Sequence, residues 1–238
     1  MIPKVIHYCW FGGNPLPAYV KKYIKSWEKH CPDYKIICWD ESNFDVNSHP
    51  FMKAAYEAKA WAFVSDYARL KIVYENGGIY LDTDVELLKN LDFLLENKFY
   101  IGVQQVGRYV TTGLGFGAEQ YNETVKELLE QYENIEFSEE NKRKIACPIL
   151  NMKVFDKYGY IYENSIWNQY GITIYPCSYF DPVSPGMAEN LLCEETVSMH
   201  HYSSSWETKG IVIKRKLINM IGQQNINMIK KKIKVLFK

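Results

Sequence analysis

The chain has 238 residues, enough for one large domain or a core domain with an appendage. Hydrophobic residues make up 47% and charged residues 24%, the balance of a globular protein with a substantial core, which excludes a disordered chain. The net charge of zero hides an asymmetry. From Lys209 to the end there are nine Lys or Arg residues and no Asp or Glu, so residues 1–208 carry 19 basic and 28 acidic side chains. An acidic body argues against general nucleic-acid binding, which needs a basic footprint. No stretch of about 18 apolar residues is present, and the N-terminus has no apolar signal region, so no membrane span or signal peptide is expected. Six cysteines, none in a Cys-x-x-Cys pair, are expected to be reduced thiols in a cytoplasmic protein.

In chain order, Lys4 to Trp10 reads as a short buried strand ended by Phe11-Gly12-Gly13-Asn14-Pro15. Tyr19, Val20, Tyr23, Ile24 and Trp27 give residues 17–30 helical spacing, and Cys31-Pro32-Asp33 breaks it. Lys35 to Trp39 is a second strand. Residues 50–61 and 64–76 read as helices, with Ser65 as a cap for the second and Gly77-Gly78 as its stop. Ile79 to Leu87 reads as a third strand and Phe99 to Gln105 as a fourth. Helices are expected at 119–133 and 148–158, and a strand at 172–175. Strands alternating with helices argue for an α/β fold with a mostly parallel central sheet. Ligands of such sheets bind beyond the carboxyl ends of the strands, so the loops after Trp10, after Trp39 and around Asp82 to Asp84 are where chemistry is expected.

The most informative stretch is Ser65-Asp66-Tyr67-Ala68-Arg69 followed by Gly77-Gly78-Ile79-Tyr80-Leu81-Asp82-Thr83-Asp84. On a continuous strand, Asp82 and Asp84 would project to one face. Two carboxylates together repel unless a cation joins them, and Mg2+ or Mn2+ suits oxygen ligands and phosphate. Asp66 and Arg69 lie one turn apart on a helix with mostly apolar neighbours, which points to a buried charge pair that wants a ligand or partner. Asp66 then accepts sugar hydroxyls, and Arg69 orients Asp66 or meets sugar and phosphate.

An isolated Asp-x-Asp occurs by chance in many chains. The extended pattern is specific, and it resembles the sugar-binding segment of glycosyltransferase family 32, shared with glucosyltransferase domains of large bacterial toxins and initiating α-mannosyltransferases. The resemblance starts at Ile2-Pro3-Lys4-Val5-Ile6-His7-Tyr8-Cys9-Trp10-Phe11-Gly12. It continues through Trp39-Asp40-Glu41 and Asp66 to Asp84, and returns at His200-His201-Tyr202-Ser203-Ser204-Ser205-Trp206. It implies a GT-A fold over residues 1–208, Rossmann-like and typical of nucleotide-diphospho-sugar transferases. It also implies retention of anomeric configuration, a nucleotide-sugar donor and Mn2+ or Mg2+.

The resemblance casts Asp66, Arg69, Asp82 and Asp84 as catalytic, and Asp82, Asp84 and His200 as metal ligands, with His201 an open alternative to His200. Nucleotide-sugar contacts are expected from Trp10, Gly78, Tyr80, Asp82, Ser205 and Trp206. Trp10 would stack on a base, and Ser205 and Trp206 would donate to the leaving phosphate. A UDP-hexose donor (UDP-Glc, UDP-Gal or a UDP-N-acetylhexosamine) is favoured over GDP-mannose. The expected acceptor is a saccharide or lipid-linked glycan of a surface polysaccharide such as a capsule.

Gly113, Gly115 and Gly117 do not make a dinucleotide fingerprint and are expected to permit close backbone approach to the sugar or acceptor. His7, His30 and His49 are assigned structural or solvent roles. Residues 209–238 read as a basic amphipathic helical tail for an anionic membrane surface, on the inner face of the membrane, with packing on protein as the alternative. Two other functions remain open: a metal-dependent phosphoesterase, and a non-catalytic module that binds nucleotide sugar or glycan.

Overall fold

A computed structural model describes residues 1–203 of the chain. The elements, in order, are β1 (Val5–Cys9), α1 (Ala18–His30), β2 (Lys35–Trp39), α2 (Pro50–Glu57), α3 (Trp61–Asn76), β3 (Gly78–Tyr80) and β4 (Val85–Leu87). Then come β5 (Phe99–Val103), β6 (Val110–Ala118), α4 (Glu123–Glu130), α5 (Cys147–Lys157), β7 (Trp167–Gln169), β8 (Ile172–Tyr175), α6 (Cys177–Phe180) and β9 (Ser198–His200). Seven strands form one sheet in the order β2-β1-β3-β6-β5-β8-β7, and β4 pairs with β9 in a separate ribbon. Strands β2, β1, β3, β5 and β8 share a direction, and β6 and β7 oppose it. The expected mostly parallel α/β sheet is therefore present, with one reversed strand set in its middle.

Side-chain alternation sends each strand to two cores. Ile6, Tyr8 and Ile79 join Trp27 of α1 on one face, and Cys9 and Tyr80 join α2 and α3 on the other. Trp27 is fully buried, and its indole N–H donates to the Val85 carbonyl at 2.8 Å. That bond fastens α1 to β4, and truncating Trp27 to Ala is expected to cost about 3–5 kcal/mol. Helix α3 is buried almost all round, as a helix inside a core must be. It stops at Gly77 and Gly78, whose φ values of +66° and +100° suit glycine.

Three expectations are corrected. Ile79 to Leu87 is not one strand: β3 ends at Tyr80, and a turn closed by the Val85 N–H on the Asp82 carbonyl at 3.0 Å separates it from β4. Asp82 and Asp84 therefore stand on a turn between two sheets, where strand alternation does not apply. Ser65 is no cap, because α3 already begins at Trp61 and residue 65 lies inside it. Helix α4 covers only part of 119–133. The glycine-rich stretch is the long central strand β6, built on Val110, Thr111, Thr112, Leu114 and Phe116, whose β-favouring side chains outweigh the glycines.

Candidate active site

The site gathers at the carboxyl edge of the sheet, where β1 and β3 end side by side and the Leu81 N–H bonds the His7 carbonyl at 3.0 Å. Helix α3 carries Asp66 and Arg69 beneath this edge, both buried. The Arg69 guanidinium pairs with Asp66 through Nη2 and reaches both Asp82 carboxylate oxygens through Nη1 at 3.2 Å. Tyr80 donates its hydroxyl to Asp82 Oδ1 at 3.0 Å, and Arg69 lies 5.4 Å from the centre of its ring. Asp82 is thus held by two neighbours, Arg69 and Tyr80.

Strand β9 brings the other half. Its antiparallel pairing places His200 opposite Val85, one residue after the Asp-x-Asp turn. His200 Nε2 lies 3.1 Å from Asp84 Oδ1. Asp84 Oδ2 accepts from the backbone N–H and the hydroxyl of Ser203, at 2.7 and 2.9 Å. One ligand atom each from Asp82, Asp84 and His200 lies within 4.8 Å of the others. His201 points elsewhere: its Nε2 meets Glu86 Oε2 at 2.8 Å, and its ring stacks on Tyr23 at 4.6 Å. Among the two histidines left open by the sequence, His200 is the one aimed at the carboxylates.

The charges explain what this cluster needs. Arg69 pairs with Asp66 and Asp82, while Asp84 is met by His200 and Ser203, so three carboxylates share one permanent cation. Burial pushes the Asp82 carboxyl up, with Asp84 adding to it, against the pull of Arg69, His200 and Tyr80. Burial would also raise Asp84, but His200 and the Ser203 donors outweigh it and hold Asp84 well below the ordinary carboxylate range. Two carboxylates and one imidazole, low in shared charge compensation, fit a divalent cation that takes oxygen and nitrogen ligands.

Gly113 of β6 passes against this cluster. A Cβ there would lie 2.9 Å from Asp82 Oδ2 and 3.4 Å from an Arg69 nitrogen, so the backbone of β6 approaches a carboxylate. Trp10 follows β1 at the same edge, half-buried, with its indole N–H bonded to the Asn14 carbonyl at 2.6 Å. Gly78 is buried against His7, where a Cβ would meet the ring at 2.9 Å, and Tyr80 is buried with its hydroxyl on Asp82. Packing therefore surrounds both, and Tyr80 holds Asp82 through its hydroxyl. Ser205, Trp206 and the tail 209–238 lie outside the described residues. The sequence reading missed the role of Ser203, although it stood inside the quoted motif. It also missed Asp181 and Tyr202, taken up below.

Residues 17–100 match the family model described as a glycosyltransferase sugar-binding region containing the DXD motif. The matched span holds Asp66, Arg69, Asp82 and Asp84. The likeness to DXD glycosyltransferases therefore lies in this sugar-binding segment. Over 101 residues it is 36% identical to an uncharacterised glycosyltransferase of Acanthamoeba polyphaga mimivirus, an alignment covering 40% of each chain. Over 102 residues it is 36% identical to inositol phosphoceramide mannosyltransferase 3 of Schizosaccharomyces pombe, covering 40% of this chain and 27% of the relative. The aligned part is thus less than half the length of either relative. Among solved structures, the PaToxG glycosyltransferase superposes with a TM-score of 0.52 at 20% identity, covering 66% of this chain and 69% of that one. At that identity the likeness concerns the fold, which is that of the GT-A glycosyltransferases. No helix among the described residues is long and apolar enough to cross a membrane.

Proposed function

We propose that this domain transfers a hexose from a nucleotide-diphosphate sugar to a saccharide acceptor, with a divalent cation held by Asp82, Asp84 and His200. The observation that carries the reading is the meeting of these three side chains, from a turn and a distant strand, beside the buried Asp66–Arg69 pair. Such a cation neutralises the diphosphate as it leaves, a Lewis-acid role that Mn2+ or Mg2+ performs when bound.

The protein's own groups divide the remaining work. Arg69 fixes Asp66 and Asp82 relative to each other, so both face the donor without rearrangement. Asp66 accepts hydrogen bonds from sugar hydroxyls. Ser203 holds Asp84 through two donors, leaving Oδ1 to the shared site. Trp10, at the same edge of the sheet, offers an aromatic face to a uracil, a contact worth on the order of 1–3 kcal/mol. That face supports a UDP-hexose donor (UDP-Glc, UDP-Gal or a UDP-N-acetylhexosamine) over GDP-mannose. Ser205 and Trp206 are proposed donors to the leaving phosphate, and transfer is proposed to retain the anomeric configuration. The acceptor is proposed as a lipid-linked or growing surface glycan. The basic tail would hold the enzyme at the cytoplasmic membrane face where such an acceptor lies.

A thermal-shift screen of nucleotide sugars with and without Mn2+ tests this. Stabilisation by one UDP-sugar that requires Mn2+ is expected, since a ligand at 100 times its Kd adds about 2.7 kcal/mol. Stabilisation by no nucleotide sugar, together with hydrolysis of simple phosphate esters, would favour a phosphoesterase instead.

A further inference from the structure

Asp181 closes helix α6, and none of its surface is exposed. A carboxylate taken out of water must be met by donors. Its Oδ2 receives three: the Gln105 backbone N–H at 2.6 Å, the Ser184 hydroxyl at 2.5 Å and the Tyr202 hydroxyl at 2.6 Å. Its Oδ1 is buried and has no hydrogen-bond partner among the described residues. An oxygen left over on a buried charge calls for an explanation.

A complementary orphan lies on His200. His200 turns Nε2 to Asp84, and its Nδ1 is buried with no partner among the described residues. Tyr202 connects the two. Its ring meets His200 edge-on with centroids 4.2 Å apart, while its hydroxyl reaches Asp181. Its φ of +48° is uncommon for a bulky residue and persists only where the surroundings hold it. An imidazole that ligates a cation through Nε2 is neutral and carries its proton on Nδ1. It then has one N–H to place, and Asp181 has one oxygen to receive it.

We propose that Asp181 is a positioning residue for the cation site, anchoring Tyr202 through Oδ2 and offering Oδ1 to the Nδ1–H of His200. The inference rests on the reading of Asp82, Asp84 and His200 as cation ligands. Asp181 itself touches neither cation nor sugar. It fixes the imidazole tautomer and ring plane, and through Tyr202 it sets the path of the chain from His200 to Ser203, both of which meet Asp84.

Mn2+ binding to the full chain, followed by electron paramagnetic resonance, tests the proposal in the wild type, Asp181→Asn and Tyr202→Phe. Asp181→Asn is expected to weaken Mn2+ binding about 10- to 100-fold, the usual effect of removing a carboxylate behind a ligating histidine. Tyr202→Phe keeps the ring on His200 and removes one oxygen, and a loss of about threefold to tenfold is expected, within the range for such partners. The nitrogen coupling of bound Mn2+, which reports the imidazole directly, should weaken in Asp181→Asn. Wild-type affinity with unchanged nitrogen coupling in both variants overturns the proposal. If Asp181→Asn does not fold, Tyr202→Phe decides: unchanged affinity overturns, and the stated loss supports. A wild type that binds no Mn2+ overturns the cation reading, and this inference with it.

Discussion

His7 provides a test of how the sheet edge that leads into Asp82 is held together. It sits in β1 beside β3 and is 1% exposed. The Trp39 indole can only donate, so its bond of 3.0 Å to Nδ1 makes that nitrogen the acceptor. The proton then lies on Nε2 and points to the Gly77 carbonyl at 2.9 Å. The first contact requires a neutral ring. Burial lowers the pKa of His7 from 6.5 to about 4, although the bond to Gly77 pulls the other way. The folded state therefore refuses a proton that the unfolded chain accepts. Above pH 6.5 neither state is protonated and His7 adds no pH dependence. As pH falls through 6.5, stability is lost, and the loss levels off below pH 4 where the folded ring also protonates. At pH 4.5 the loss amounts to about 2.5 kcal/mol. Other groups titrate in the same window, and His200 is shifted the opposite way, so the test needs a difference. His7→Gln is a neutral mimic able to accept from Trp39 and donate to Gly77. Urea unfolding at pH 7.5 and pH 4.5 should show wild type losing about 2.5 kcal/mol more than His7→Gln. Equal losses in the two proteins would refute the neutral, buried assignment.

Three further outcomes follow from the site. Gly113→Ala places a methyl group 2.9 Å from Asp82 Oδ2, so the carboxylate must shift. The variant should fold, with Mn2+ affinity about tenfold weaker by calorimetric titration, and unchanged affinity would contradict the close packing. Trp10→Ala should raise the donor KM with little change in kcat, because stacking on the base is the same in ground and transition states. An unchanged KM in the folded variant removes Trp10 from the nucleotide site. Full-length protein should sediment with anionic vesicles more than with neutral ones, and a chain ending at Lys209 should remain in the supernatant. Equal recovery of both in the supernatant rules out the membrane role of the tail.

Much of the first half of the fold was legible because local pattern and final structure agree there. Apolar spacing in α1, β-branched residues in β2 and the paired glycines after α3 are all decided within a few residues of sequence. The site was half legible. Asp66, Arg69, Asp82 and Asp84 fall within 19 consecutive residues and carry a recognisable pattern. The reason given for pairing the two aspartates was wrong all the same, because β3 ends too soon and a turn brings them together. What sequence spacing conceals is the β4–β9 ribbon, two strands of three residues that join Val85 to His200. Only that pairing separates the roles of His200 and His201. Asp181 was invisible for the same reason, since its donors come from residues 105, 184 and 202. The strand β6 was hidden by glycines whose purpose appears only when Asp82 and Tyr100 are seen against them.

Nucleotide release from a panel of UDP- and GDP-sugars, measured with Mn2+ and with EDTA for wild type and Asp84→Asn, tests the central claim most directly. The account predicts release that requires both Mn2+ and Asp84 and rises with a saccharide acceptor, while the variant keeps its fold. Release that persists in EDTA, or at the wild-type rate in Asp84→Asn, would contradict a cation held by Asp82, Asp84 and His200.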